Sequence, residues 1–220
     1  MSWILIATMA ILAWAPVLAA QASAVRGKLV LKERGGKPAS GLTDAVIWLE
    51  GPKTGRPSSV EVATRKKELI PGVIVVAPGS TVSFPNHDPF NHNVFSLSPE
   101  ATFDLGLYGR GEARSAKFDR PGIVRVYCNV HAQMWAAVLV IESPLVTRPG
   151  ADGTFGFDAV PPGAYTLTAW HDRGGQTSRK IVVGAAGLTD IQLALDASGH
   201  MHKAHLNKFG KPYQSEGRRY

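Results

Sequence analysis

The chain holds 220 residues, enough for one or two ordinary domains, and its single cysteine excludes an intrachain disulfide. The formal net charge is +7, and the stretch from Asp196 to Tyr220 carries five Lys/Arg against Asp196 and Glu216. The other basic residues are scattered, with Arg65-Lys66-Lys67 the longest run and no aromatic interleaving. That pattern argues against a nucleic-acid partner and leaves an anionic membrane surface or an acidic partner protein as the use for the charge.

Trp3 to Ala20 is almost wholly apolar, and AQASA (20–24) follows, ending in the small-x-small triplet Ala22-Ser23-Ala24. An apolar core with such an exit reads as a cleaved secretory signal over 1–24, a mature chain from Val25, and a periplasmic or secreted protein. A charged segment before the core is missing, and the run approaches spanning length, so an uncleaved anchor is the alternative. Pro16 and the small-residue exit favour cleavage. Export changes the meaning of Cys128: an unpaired cysteine in an oxidising compartment is an inert buried thiol, an intermolecular bridge or a metal ligand.

Beyond Val25 the sequence reads as strands separated by Gly/Pro/Asn/Asp turns. GKLVLKE (27–33) and DAVIWLEG (44–51) are divided by GGKPAS, and GVIVVAPGSTVSFPN (72–86) gives two strands around Pro78-Gly79. HNVFSL (92–97), SAKF (115–118), GIVRVYC (122–128) and AAVLVIE (136–142) follow. TFGF (154–157), AYTLTAWH (164–171), SRKIVV (178–183) and LTDIQLAL (188–195) complete the set. β-branched and aromatic residues dominate these runs, and their spacing suits sandwiches or barrels. No long segment carries a 3.6-residue period, and only Pro99 to Tyr108 has room for a helical turn. The expected fold class is all-β.

YCNVHAQM (127–134) places Cys128 at the end of one strand and His131 and Met134 in the loop before the next. Two imidazoles, a thiolate and a weak axial thioether are the donors of a blue-copper site. Gaps of two residues let Cys128, His131 and Met134 curl around one point, and His92, before the NVFSL strand, supplies the fourth donor. Taken singly, each has a bland reading: a buried cysteine is often a small hydrophobe, Met134 beside Trp135 could be core filler, and His131 a satisfied polar residue. The joint arrangement favours one copper ion held by His92, Cys128, His131 and Met134. A structural zinc site would want four His/Cys ligands, and methionine is a poor one. In NHDPFNHN only one histidine can be equatorial. His92 is fixed by strand pairing, whereas His87 sits in an Asn/Asp/Pro turn. Asn91 or Asn93 is the expected outer hydrogen-bond partner of the site.

FPNHDPFNHNVFS and YCNVHAQM resemble the cupredoxins, in particular the short-loop amicyanin type, over roughly Ser58 to Ser143. The wider pattern of FPN-x-D, the copper loop and P-x-G-x-Y…W-H is similar to methylamine-utilisation-like periplasmic proteins. GADGTFGFDAVPPGAYTLTAWHD (150–172) and GKLVLKERGGKPASGLTDAVIWLEG (27–51) resemble the carboxypeptidase regulatory-like, transthyretin-like β-sandwich. The resemblance implies a cupredoxin Greek-key sandwich over 58–143, inserted into a second sandwich built from 25–57 with 144–195. Two consecutive sandwiches, with 25–57 as an extra hairpin, are the alternative. Residues 196–220 are expected to be a disordered basic tail.

The activity the resemblance implies is one-electron transfer with a redox partner protein. Electrons would leave through the edge of His131, and Asn129, Ala132 and Gln133 would form an uncharged docking surface. The rivals are a copper storage or delivery protein and a non-redox β-sandwich interaction module. An enzyme is not expected, because no paired carboxylates, Ser/His/Asp order or open three-histidine site is evident. His171 reads better as a polar strand end than as a functional group. HMHKAH (200–205), with His200, His202 and His205, is either a weak second copper site or a solvated tail.

Overall fold

The structure, a computed structural model, describes residues 23–35, 41–51, 53–200 and 205–213. The apolar run Trp3 to Ala20 and His202 lie outside these residues. No helix among the described residues is long and apolar enough to cross a membrane.

The chain is all-β: apart from one 3₁₀ turn at Leu42–Asp44, the regular elements among the described residues are strands. The first two are β1 (Ser23–Lys32) and β2 (Val46–Glu50), followed by β3 (Ser59–Glu61), β4 (Ala63–Arg65) and β5 (Glu68–Ile70). Next come β6 (Val73–Val76), β7 (Ser80–Pro85), β8 (Val94–Ser98), β9 (Ala101–Asp104) and β10 (Ala113–Phe118). Then follow β11 (Gly122–Cys128), β12 (Trp135–Val140), β13 (Val146–Thr147) and β14 (Thr154–Val160). The last are β15 (Gly163–His171), β16 (Gly175–Val183) and β17 (Leu188–Asp196).

These strands form four main sheets, in the orders β14-β1-β17, β13-β2-β15-β16, β6-β12-β11-β8-β9 and β10-β7-β3, with β4-β5 as a separate hairpin. Three apolar cores lie between them. Leu29, Ile47, Leu167 and Leu193 belong to the first, between the two sheets built from the ends of the chain. Phe84, Phe118, Val126 and Val138 belong to another, between the two sheets built from its middle. Val46, Trp48, Trp170, Ala137, Leu139 and Ile141 form the third, which joins the two sandwiches.

Where the joining core meets them, the two inner sheets are therefore buried on both faces, and β2 and β12 show it in sequence. In β2, Ile47 and Leu49 enter the first core while Val46 and Trp48 enter the joining core. In β12, Ala136, Val138 and Val140 face the core that holds Phe84 and Phe118 while Ala137 and Leu139 face the join. Successive side chains of a strand point to opposite faces, so a strand with two buried faces reads as an unbroken apolar run. The motif P-x-G-x-Y has a structural role here: the Tyr165 hydroxyl donates to the Pro161 carbonyl at 2.8 Å, pinning the entry to β15.

Two expectations differ from what is observed. Pro99 to Tyr108 is no helical turn: Ala101–Asp104 is a strand paired antiparallel with β8. Phe103 points inward, 6.1 Å from Phe84 and 6.0 Å from Phe118, while Thr102 and Asp104 stay outside, a period of two that favours a strand. The tail is also not wholly unstructured, because residues 205–213 pack on the loop after β11 through Lys208 and Tyr213. His205, Lys208 and Tyr213 find partners there that composition does not reveal. In addition β1 starts at Ser23, two residues before the expected mature start, and the Ser23 hydroxyl donates to the Ala185 carbonyl at 2.9 Å.

Candidate metal centre

β11 delivers Cys128 to the end of the core. Val124, Val126 and Cys128 occupy alternate positions and all three are fully buried. The loop that follows is closed by the N–H of Met134 on the His131 carbonyl (3.2 Å) and the N–H of Cys128 on the Met134 carbonyl (3.1 Å). Asn129 N–H donates to the Asn93 carbonyl at 2.8 Å, so the loop is tied directly to the residue after His92. His92 itself exchanges two backbone hydrogen bonds with Tyr108, at 3.0 and 3.1 Å. A rigid frame thus fixes each arm of the site.

The donors converge. His92 Nδ1 lies 3.5 Å and His131 Nδ1 3.9 Å from Cys128 Sγ. A first-row ion such as zinc, with imidazole nitrogen at about 2.0–2.1 Å and thiolate at about 2.3 Å, separates such donors by roughly 3.6–3.8 Å at tetrahedral to trigonal angles. The observed pair brackets that span. His92 and Cys128 are fully buried, Met134 is buried beside them in the same core, and His131 is half-buried. The Phe90 ring stands 5.3 Å from both imidazoles and screens them.

His92 presents Nδ1 because its other nitrogen is taken. Nε2 lies 2.9 Å from Asp88 Oδ2, and an N–H directed there leaves the Nδ1 lone pair for a metal. Asp88 also accepts the backbone N–H groups of Lys66 (2.6 Å) and Lys67 (3.0 Å), which form the tight β4–β5 turn at positive φ. Asn86 holds the base of this loop, accepting from the Asp88 N–H and the Thr64 hydroxyl and donating to the Phe90 and Tyr108 carbonyls.

Electrostatics follow from these contacts. Burial alone would push the Asp88 carboxyl up, but the N–H groups of Lys67 and Lys66 and the His92 imidazole outweigh it and leave it below the usual value. Burial opposes a charged His92, and the contacts with Cys128 and Asp88 more than offset that, raising it. Burial likewise opposes a thiolate at Cys128. His92 and the N–H groups of Asn93, Val130 and His131 reverse the balance and lower it.

No family model matches the chain, and no curated protein does. Among solved structures, the chain is similar to a purple cupredoxin from Nitrosopumilus maritimus, with 20% identity, a TM-score of 0.33, and 37% of this chain and 98% of that one covered. It is similar to amicyanin from Paracoccus versutus, with 19% identity, a TM-score of 0.35, and coverage of 43% and 96%. A Cu-containing nitrite reductase from Thermus scotoductus SA-01 shares 22% identity at a TM-score of 0.37, over 53% of this chain and 28% of that one. The structural neighbours are cupredoxins at low coverage.

His92, Cys128 and His131 form the one metal-capable group of His, Cys, Asp and Glu found among the described residues. His87 is exposed and outside it. Of the two asparagines, Asn93 contributes through its main chain while its side chain donates to Asp104 at 2.5 Å, and Asn91 is exposed. The carboxylate of Asp88, not among the residues expected at the site, is the outer partner of His92. Its signal was its place four residues before His92 inside the FPN-x-D motif. His171 is buried, contacting the Gly41 carbonyl through Nε2 (3.2 Å) and accepting from the Arg173 N–H through Nδ1 (3.1 Å). Both nitrogens are used in holding a turn. His205 stacks on Tyr127 at 4.3 Å, and His200 is exposed.

Proposed function

We propose that the chain is an exported copper protein that carries single electrons, with His92, Cys128, His131 and Met134 holding one ion. The observation that supports it is the convergence of one buried thiol and two Nδ1 atoms at 3.5 and 3.9 Å, with a buried methionine in the same corner. Soft sulfur with imidazole selects copper over magnesium or calcium, and a thioether argues for copper over zinc. Bound copper would supply a one-electron couple. The protein contributes a frame that stays in one geometry: four donors on two hydrogen-bonded arms, a fixed His92 tautomer, and Phe90 excluding water. A carrier needs that rigidity, and no substrate pocket is required for it. His131, less buried than His92, is the edge offered to a redox partner protein.

Residues 58–143 are read as the copper-binding domain, inserted into a transthyretin-like sandwich made of 25–57 and 144–195. The pairing of β1 with β14 and β17 supports this division. Export is supported by the apolar N-terminal run, and processing after Ala20-Gln21-Ala22 would retain the whole of β1.

Addition of Cu(II) to the purified chain is expected to give stoichiometric uptake with intense visible absorption and a reversible one-electron titration. A colourless Cu(I) complex without that absorption would favour storage or delivery instead, and no uptake would favour a metal-free interaction module. Replacing Asp88 by alanine removes the partner of His92 Nε2 and the acceptor of the Lys66-Lys67 turn. Competition with a chelator should then show copper affinity lowered about 10–100-fold, the effect usual for losing such a partner.

A further inference from the structure

β17 ends the first sandwich at Asp196, yet residues 205–213 lie on the ligand loop of the other one. The His205 ring stacks on Tyr127 at 4.3 Å and 26°, and stands 6.3 Å from Phe95. Lys208 N–H donates to Asn129 Oδ1 at 3.0 Å. Its ammonium pairs with Asp104 at 2.6 Å, and Asp104 also receives the Asn93 amide. The Tyr213 hydroxyl donates to the Cys128 carbonyl at 2.5 Å.

The segment is preorganised for this. Asn207 Oδ1 accepts the N–H groups of Phe209 and Lys211, each at 3.0 Å, and Asn207 N–H donates to the Lys211 carbonyl at 2.8 Å. Its contacts fall on Cys128 and Asn129, where the ligand loop begins, and through Asp104 on Asn93, beside His92.

We propose that residues 205–213 form a strap that positions the ligand loop, with Tyr213 and Lys208 as its positioning residues, so that metal retention depends on a segment reaching across from the first sandwich. The loop-positioning role stands on the contacts alone, and the effect on metal rests on the copper reading above. The hydrogen bonds and the ring stack together oppose loop opening by about tenfold or more.

The test compares the full chain, the chain truncated after Ala204, and Tyr213→Phe. Hydrogen exchange of the metal-free proteins should be about tenfold faster at Asn129 to Met134 in the truncated chain, less so in Tyr213→Phe, and unchanged in β15. After loading with Cu(II), the truncated chain should lose copper to a chelator about tenfold faster, with a shifted visible band. Unchanged loop exchange on truncation overturns the strap, as does acceleration spread equally over β1 and β15, which would make the tail a general stabiliser. Faster loop exchange in a protein that takes up no copper supports the strap while refuting the copper reading.

Discussion

Cys128→Ser is expected to abolish the intense visible absorption of the copper-loaded chain and to weaken copper binding by more than the roughly 10–100-fold expected for loss of an outer partner. The substitution is nearly isosteric, yet chemically it is severe. The sulfur is buried, it receives an N–H from Val130 at 3.4 Å, and Asn93 and His131 add further N–H groups that stabilise a thiolate. A serine hydroxyl in this place stays protonated and hard, and the two imidazoles then remain as an ordinary weak nitrogen pair. The fold should survive, since the same N–H groups can donate to the hydroxyl oxygen and limit the cost of burying it. A copper titration followed by visible absorption, with circular dichroism as the check on folding, decides the matter. A serine variant that retains the band and the affinity of the parent removes Cys128 from the site.

Much of this was legible in the sequence, for physical reasons that differ by element. β11 and β12 declare themselves as β-rich runs, and the loop between them carries three chemically distinctive residues within one turn of chain. Local spacing therefore reads the Cys128–Met134 arm almost directly. His92 needed a choice against His87, and the alternation of the NVFSL strand supplied it, because pairing fixes one residue and leaves the other in a turn. Asp88 stood out only as the acid of the FPN-x-D motif, and its partner could not be named from that: the contact depends on a loop that folds back so that a residue four positions earlier meets Nε2 rather than water. The short strands β3, β4 and β5 escaped because three residues leave no period to detect. Tail docking escaped for a different reason. A basic Gly/His/Lys composition describes how a segment behaves alone, and Tyr213 becomes an ordering residue only because the fold brings its hydroxyl to the Cys128 carbonyl, 85 positions away in sequence.

Trp170→Ala is expected to cost about 3–5 kcal/mol and to uncouple the two sandwiches. Trp170 is 2% exposed and packs in the joining core with Trp48, Leu139 and Ile141. It lies on β15 with its side chain opposite Leu167 and Ala169, which fill the first core, so its removal leaves that core's own contacts in place. What disappears is the more deeply buried of the two tryptophans in the joining core, leaving Trp48 with Val46, Leu139 and Ile141, and at its margin the Arg125–Asp172 ion pair and the Arg148 hydrogen bond to the Val73 carbonyl (2.8 Å). Partly exposed contacts of that kind hold far less than a buried indole. A loss of this size is a large part of the stability of an ordinary domain and should lower the melting temperature by about 10 °C. If the join makes the molecule one cooperative unit, the parent melts in a single transition. The variant would then show two, with the visible copper band tracking only the sandwich that contains Cys128. A variant that still melts in one step, shifted by less than about 2 °C, would mean that the sandwiches are coupled elsewhere. The strap from 205–213 would be the next connection to cut.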